Sequence, residues 1–201
     1  MQGPVDDSAL VFADLTDARQ ELQSARGSPK VVRRCFSRYV DLTQRLTAAM
    51  RKDFSKSKAS KWVASEFAGW TDDTAFLKWL RNEDQHANQI YVSVHERHFY
   101  KLEATGDQLL VFEGTWALLD QLTDSVPGGM TMHLPDPATG KFSEVVIQPV
   151  RVEYQYLLQP RTQKATDWIR KLGNSDIHQL ADRSFSVLTE YYAYFRQRLD
   201  A

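Results

Sequence analysis

The hydrophobic period of this chain changes twice, and those changes limit its fold more than any other feature. From Val11 to Leu80 apolar residues recur every three or four positions, from Ile90 they alternate, and from Ile177 to Leu199 the helical spacing returns. A helix brings a face round every 3.6 residues and a strand every two. The order is therefore helices, strands, helix, which predicts an α+β fold: a bundle of N-terminal helices and a long C-terminal helix, with a small antiparallel β-sheet segment inserted. The expected limits are a helical region over 1–87, an antiparallel β segment over 88–160, and C-terminal helices over 161–201 that pack back on the bundle. With 201 residues, 42% of them hydrophobic, the chain can bury one good core, and a single compact unit is expected.

Val11, Leu15, Ala18 and Leu22 mark a first helix. Gly27-Ser28-Pro29 ends it and starts a second, with Ser28 as N-cap and Pro29 in the first turn. In that second helix Val32, Cys35, Tyr39, Leu42, Leu46 and Ala49 form a narrow seam that calls for a partner helix. Ser55 to Lys61 is polar and reads as a mobile connection. Trp62, Val63 and Phe67 form a short apolar patch, and Gly69 and Thr71 separate it from a third helix. There Asp72 and Asp73 meet the positive end of the helix, and Phe76, Trp79 and Leu80 face inward. Arg81 falls at that helix's C-terminus or just beyond it.

In the β segment, Ile90, Val92 and Val94 alternate with Tyr91, Ser93 and His95. Thr105-Gly106-Asp107 divides Phe99–Glu103 from Leu109–Glu113 as a hairpin would. Val126-Pro127-Gly128-Gly129 is a turn, and Met130–Leu134 and Phe142–Leu158 read as further strands, for four to six in all. Ile177, Leu180, Ser184, Val187, Tyr191, Phe195 and Leu199 form the seam of the last helix.

Charge is segregated. Residues 30 to 61 carry ten Lys or Arg against Asp41 and Asp53, a net of +8, whereas residues 90 to 160 carry four basic and nine acidic groups, a net of −5. A nucleic acid would have to approach the helical part, and Arg34, Arg38, Arg45 and Lys52, which lie off the second helix's seam, are the candidate RNA-binding residues. The alternative is a solvated basic face with the acidic residues 6 to 21 laid against it. No apolar run has the length of a membrane helix, and the first residues lack a signal-peptide layout. No membrane association and a cytoplasmic address are expected. Cys35 has no partner for an internal disulfide and reads as a small buried hydrophobe.

One short motif carries chemistry. In Leu80-Arg81-Asn82-Glu83-Asp84-Gln85-His86, an arginine supplies a permanent forked charge suited to phosphate oxygens, and a histidine can exchange protons near neutral pH. Arg81-Asn82 to His86 resembles the R-polar-x(3)-H signature of the HEPN superfamily (higher eukaryotes and prokaryotes nucleotide-binding domain). The likeness is specific over about seven residues and compatible in helix pattern over residues 5 to 86. It departs from the family's pattern beyond the motif, where a helix should run on and Gln89 to Val94 instead alternates. The resemblance implies a metal-independent endoribonuclease that needs no cofactor, of the kind found among toxins and antiviral effectors, with Arg81, Asn82 and His86 as catalytic residues. His86 would take the proton from a ribose 2′-hydroxyl, Arg81 would stabilise the pentacovalent phosphate, and Asn82 would orient either group. One histidine per chain leaves no general acid for the leaving oxygen, so a homodimer is expected. RNA and an antitoxin protein are the other expected partners.

Two alternatives stand beside this. The same fold could be a non-catalytic binding or scaffold protein, with Arg81 paired to Glu83, Asp84 or a helix end. Those carboxylates would repel a phosphate. The match could also be accidental, on an unrelated α+β domain. Elsewhere, His95 and His98 around Glu96 could ligate a metal only across a bulge, because residues three apart on a strand face opposite sides; surface residues are expected. Tyr191 and Phe195 read as core, and Trp62, Trp70 and Trp79 as packing anchors.

Overall fold

The computed structural model describes residues 6–25, 28–58, 60–85, 91–101, 109–117, 130–135 and 139–200. The order of elements is α1 (Asp7–Ser24), α2 (Pro29–Lys58), a 3-10 turn (Ala64–Glu66), α3 (Asp72–Gln85), β1 (Val92–Lys101), β2 (Leu109–Ala117), β3 (Met130–Pro135), β4 (Phe142–Ile147), β5 (Arg151–Leu158), α4 (Gln163–Leu172) and α5 (Ile177–Asp200). This is the α+β architecture that the change of period predicts. By its contacts the chain falls into a helical unit, Met1–Val92 with Tyr156–Ala201, and a β unit, Ser93–Gln155.

In the helical unit, α1 starts where the Asp6 carboxylate accepts the Ala9 N–H at 3.1 Å, satisfying one of the donors that a helix N-terminus leaves unpaired. Pro29 opens α2, where its missing N–H costs nothing. Leu15, Ala18 and Leu22 of α1 are fully buried, as their spacing requires. On α2 the buried stripe is wider than the expected seam. Cys35 and Ala49 are only half-buried, while Phe36, Val40, Thr43, Met50 and Asp53 join Val32, Tyr39, Leu42 and Leu46 inside. The cause is that α2 packs against α1, α3 and α5 together, and three partners cover more of a helix than a single seam does. The expected connection at Ser55–Lys61 also gives way, since α2 runs through Lys58. Lys56 and Lys58 in its last turn oppose the negative end of the helix dipole.

α5 is capped by Asp176, whose carboxylate accepts the Gln179 N–H at 2.9 Å. It buries Ile177, Leu180, Ala181, Ser184, Leu188, Tyr191 and Phe195. The Tyr39 hydroxyl, on α2, donates to the Ala181 carbonyl at 3.0 Å and lies 2.9 Å from Ser184 Oγ. Trp62 and Phe67 are buried as anchors: the Trp62 indole N–H donates to the Tyr191 hydroxyl at 2.7 Å, and Phe67 packs on the same ring. Trp70 is more exposed, with its N–H held by the Ala64 carbonyl.

The β unit contains a three-stranded sheet in the order β2-β1-β5 and a two-stranded sheet of β3 and β4. β1 and β2 are antiparallel, with Ser93 opposite Ala117 and Lys101 opposite Leu109. The two alternating segments expected before the first hairpin are thus one strand. β3 and β4 pair antiparallel from Met130–Ile147 to Pro135–Phe142. On β1, Glu96 and His98 share a face, and His98 Nε2 lies 2.9 Å from Glu96 Oε2, with both side chains almost enclosed. The surface reading of His98 is therefore corrected. Alternation puts residues two apart on one side, and burial of the polar pair is offset by their mutual hydrogen bond.

Candidate functional site

α3 carries the motif. It opens after Thr71, whose carbonyl accepts the Ala75 N–H at 3.1 Å and the Thr74 hydroxyl at 2.8 Å. Asp72 and Asp73 occupy its first turn, where negative charge is favoured. They also tie α3 to its neighbours, through Lys171 of α4 at 2.5 Å and Arg183 of α5 at 2.7 Å. Phe76, Leu77 and Leu80 are buried beneath the helix. Arg81 and Asn82 follow in its last turns. His86 lies outside the described residues, as do the side chains of Glu83 and Asp84.

Arg81 turns toward α2. Its Nε is 3.6 Å from Asp41 Oδ1, with the Arg81 side chain 31% exposed and that of Asp41 47%. At this separation the groups attract but do not form a hydrogen bond. The Arg81 Nε is buried and has no hydrogen-bond partner among the described residues. Asn82 is exposed beside it.

The four basic residues picked out on α2 surround Asp41. At about 100° per residue, Arg34, Arg38, Arg45 and Lys52 all fall within about 60° of Asp41 around the helix axis. The fold thus gathers the motif's arginine and the basic stripe on one side of α2. α1 then neutralises part of that stripe. Glu21 pairs with Arg38 at 2.5 Å and Asp7 with Lys52 at 2.5 Å, with Lys56 Nζ at 3.8 Å. Both helices use a spacing of seven for these charges, so the same antiparallel register sets Asp14 opposite Arg45. Arg34 and Arg45 are exposed and make no ion pair among the described residues. Asp7 is held below the usual carboxylate range by the Lys52 hydrogen bond and charge, and Lys52 is correspondingly raised.

Sequence reasoning missed Asp41 as the counter-charge of Arg81, having looked for it among the motif's own neighbours. The only signal for it was its place as one of two carboxylates inside a basic stretch. The complementary heptads of Asp7, Asp14 and Glu21 with Lys52, Arg45 and Arg38 were also legible in the sequence as a register.

Among the described residues no cluster of three or more His, Cys, Asp or Glu could hold a metal ion. Among the described residues no helix is long and apolar enough to cross a membrane. The profile of no known protein family matches the chain, and neither does any curated protein or solved structure.

Proposed function

We propose that this chain is a HEPN-like, metal-independent endoribonuclease that acts as a homodimer, in the manner of a toxin or antiviral effector. The observation that carries the proposal is the state of Arg81. An arginine with a purely structural role usually locks its planar fork onto a carboxylate through short paired hydrogen bonds. Arg81 instead stands 3.6 Å from Asp41 with its Nε unbonded. That Nε is buried, so a second anion, such as a phosphate of the RNA backbone, would have to bind the exposed remainder of the side chain, 31% of which is open to solvent. Exposed Arg34 and Arg45 on the adjacent stripe supply the positive field that draws such a backbone in.

In this reading His86 removes the 2′-hydroxyl proton, Arg81 neutralises charge growing on the phosphorus oxygens, and Asn82 orients them. The 2′-oxygen then displaces the 5′-oxygen, leaving a 2′,3′-cyclic phosphate. A second chain brings the second histidine, which protonates the leaving oxygen. An antitoxin protein would act by covering this side of α2 and α3.

A non-catalytic scaffold is the second reading, favoured by a specific observation: Asp41 gives Arg81 an internal counter-charge, and α1 has already paired Arg38 and Lys52. Mutation separates the two. A histidine that transfers a proton in the transition state is worth about 10²- to 10⁴-fold in rate. His86→Ala and Arg81→Ala should each abolish cleavage of single-stranded RNA, with far-UV circular dichroism unchanged. A wild type that cuts none of a varied set of RNAs, or a His86→Ala variant that cuts as well, leaves the scaffold reading in its place.

A further inference from the structure

On the flank of α3 away from Arg81, Phe76 and Trp79 meet Trp168 of α4. The ring centroids of Phe76 and Trp168 are 5.8 Å apart and those of Trp79 and Trp168 6.4 Å apart, the indoles lying within 30° of parallel. Three features set this cluster apart from ordinary core. Both indoles are only half-buried, and α4, though capped by Thr162 at its start and Gly173 at its end, has no buried residue. Cations lie over the rings: Lys164 Nζ is 5.9 Å from the Trp79 centroid, and Lys171 Nζ, which also pairs with Asp72, is 5.2 Å from that of Trp168, with exposed Lys78 on the next position of α3. Finally, the Trp79 indole N–H is buried without a hydrogen-bond partner among the described residues. Leaving such a donor unpaired costs stability, so packing alone accounts poorly for a tryptophan here.

We infer that this face is a stacking subsite for the bases of single-stranded RNA, an inference that rests on the ribonuclease reading and names the form of its substrate. Partly exposed aromatic rings accept any base once the flexible lysines over them swing aside to meet the backbone that carries it, and such pairing of rings with cations is how proteins hold single strands without reading sequence. A phosphorylated surface alone would explain the lysines but not the rings, and a polypeptide would explain the rings but not the lysines. Asn82 lies one turn beyond Trp79 and about 60° round from it, while Arg81 lies about 160° away. A strand stacked on Trp168 and Trp79 therefore reaches the scissile position by rounding the last turn of α3, a path open to a flexible single strand and closed to a stiff duplex.

The test measures binding separately from cleavage. A 5′-labelled oligouridylate of twelve nucleotides is titrated by fluorescence anisotropy into the His86→Ala chain, alone and combined with Trp168→Leu, Trp168→Phe or Lys164→Glu. Loss of a stacked base corresponds to about 5- to 150-fold in affinity. Trp168→Leu should weaken binding by that amount, Trp168→Phe should restore most of it, and Lys164→Glu, at an exposed position, should weaken binding without changing the circular dichroism. A duplex of the same length should bind with no dependence on Trp168. Unchanged binding by Trp168→Leu and Lys164→Glu overturns the inference, and so does a loss that phenylalanine does not restore. If RNA is cut normally while Trp168 proves dispensable, this subsite falls and the ribonuclease stands. If binding depends on Trp168 in a wild type that cuts nothing, the subsite stands and the ribonuclease falls.

Discussion

Replacing Asp41 with asparagine should tighten RNA binding. Its carboxylate is 3.6 Å from Arg81 Nε, and both side chains are substantially exposed. A pair so open to solvent is worth about 0.2–1 kcal/mol. If Arg81 is a phosphate ligand, a backbone phosphate must compete with Asp41 for it, and asparagine returns that energy to the complex. At 1.4 kcal/mol per tenfold, the gain is about 1.4- to 5-fold in affinity. Removing one negative charge from a basic stripe would also help binding in a general way, so a double-mutant cycle is needed. Fluorescence anisotropy with a labelled single-stranded RNA, at two salt concentrations, is read for wild type, Asp41→Asn, Arg81→Ala and the double variant. The gain should appear with Arg81 present and largely vanish without it. An Asp41→Asn chain that binds no tighter, or an equal gain in the Arg81→Ala background, would refute the assignment of Arg81 to phosphate.

Three further outcomes are expected. Tyr39→Phe removes the hydroxyl between α2 and α5 but leaves Ser184 bonded to the Ala181 carbonyl at 3.1 Å. Urea unfolding should therefore show a loss of only about 1–1.5 kcal/mol, against about 3–5 kcal/mol for Tyr39→Ala; equal losses would contradict the bond assignment. Asp6 titrates below its ordinary value of 3.8: burial opposes its charge, but hydrogen bonds from Ser8 and Ala9, and Asp53 and Arg196 beside it, more than compensate. A depressed carboxylate stabilises the fold above its unfolded pKa and loses that contribution as pH falls through the folded one. Urea midpoints should accordingly drop below about pH 4 and drop less in Asp6→Asn, whereas identical pH profiles would remove Asp6 from the account. Light scattering at micromolar concentration should report a dimer, and a strict monomer would count against the two-histidine mechanism.

The α+β class and the order of its elements were legible in the sequence because periodicity is a local record of burial: Leu15, Ala18 and Leu22 could only line one face of a helix, and the alternation of Ile90, Val92 and Val94 marked the first strand. The start of α2 was legible too, in Pro29 at its first turn. The width of a buried face was not, since it depends on how many partners a helix meets in space. Phe36, Val40 and Met50 are inside because α1, α3 and α5 all reach α2. The clearest divide lies at the motif. The sequence placed Arg81 beside Glu83 and Asp84 as neighbours along the chain, while the tertiary structure set it against Asp41, forty positions earlier. That pair exists because α2 and α3 pack on each other, and one-dimensional spacing carries no record of which helices meet in space.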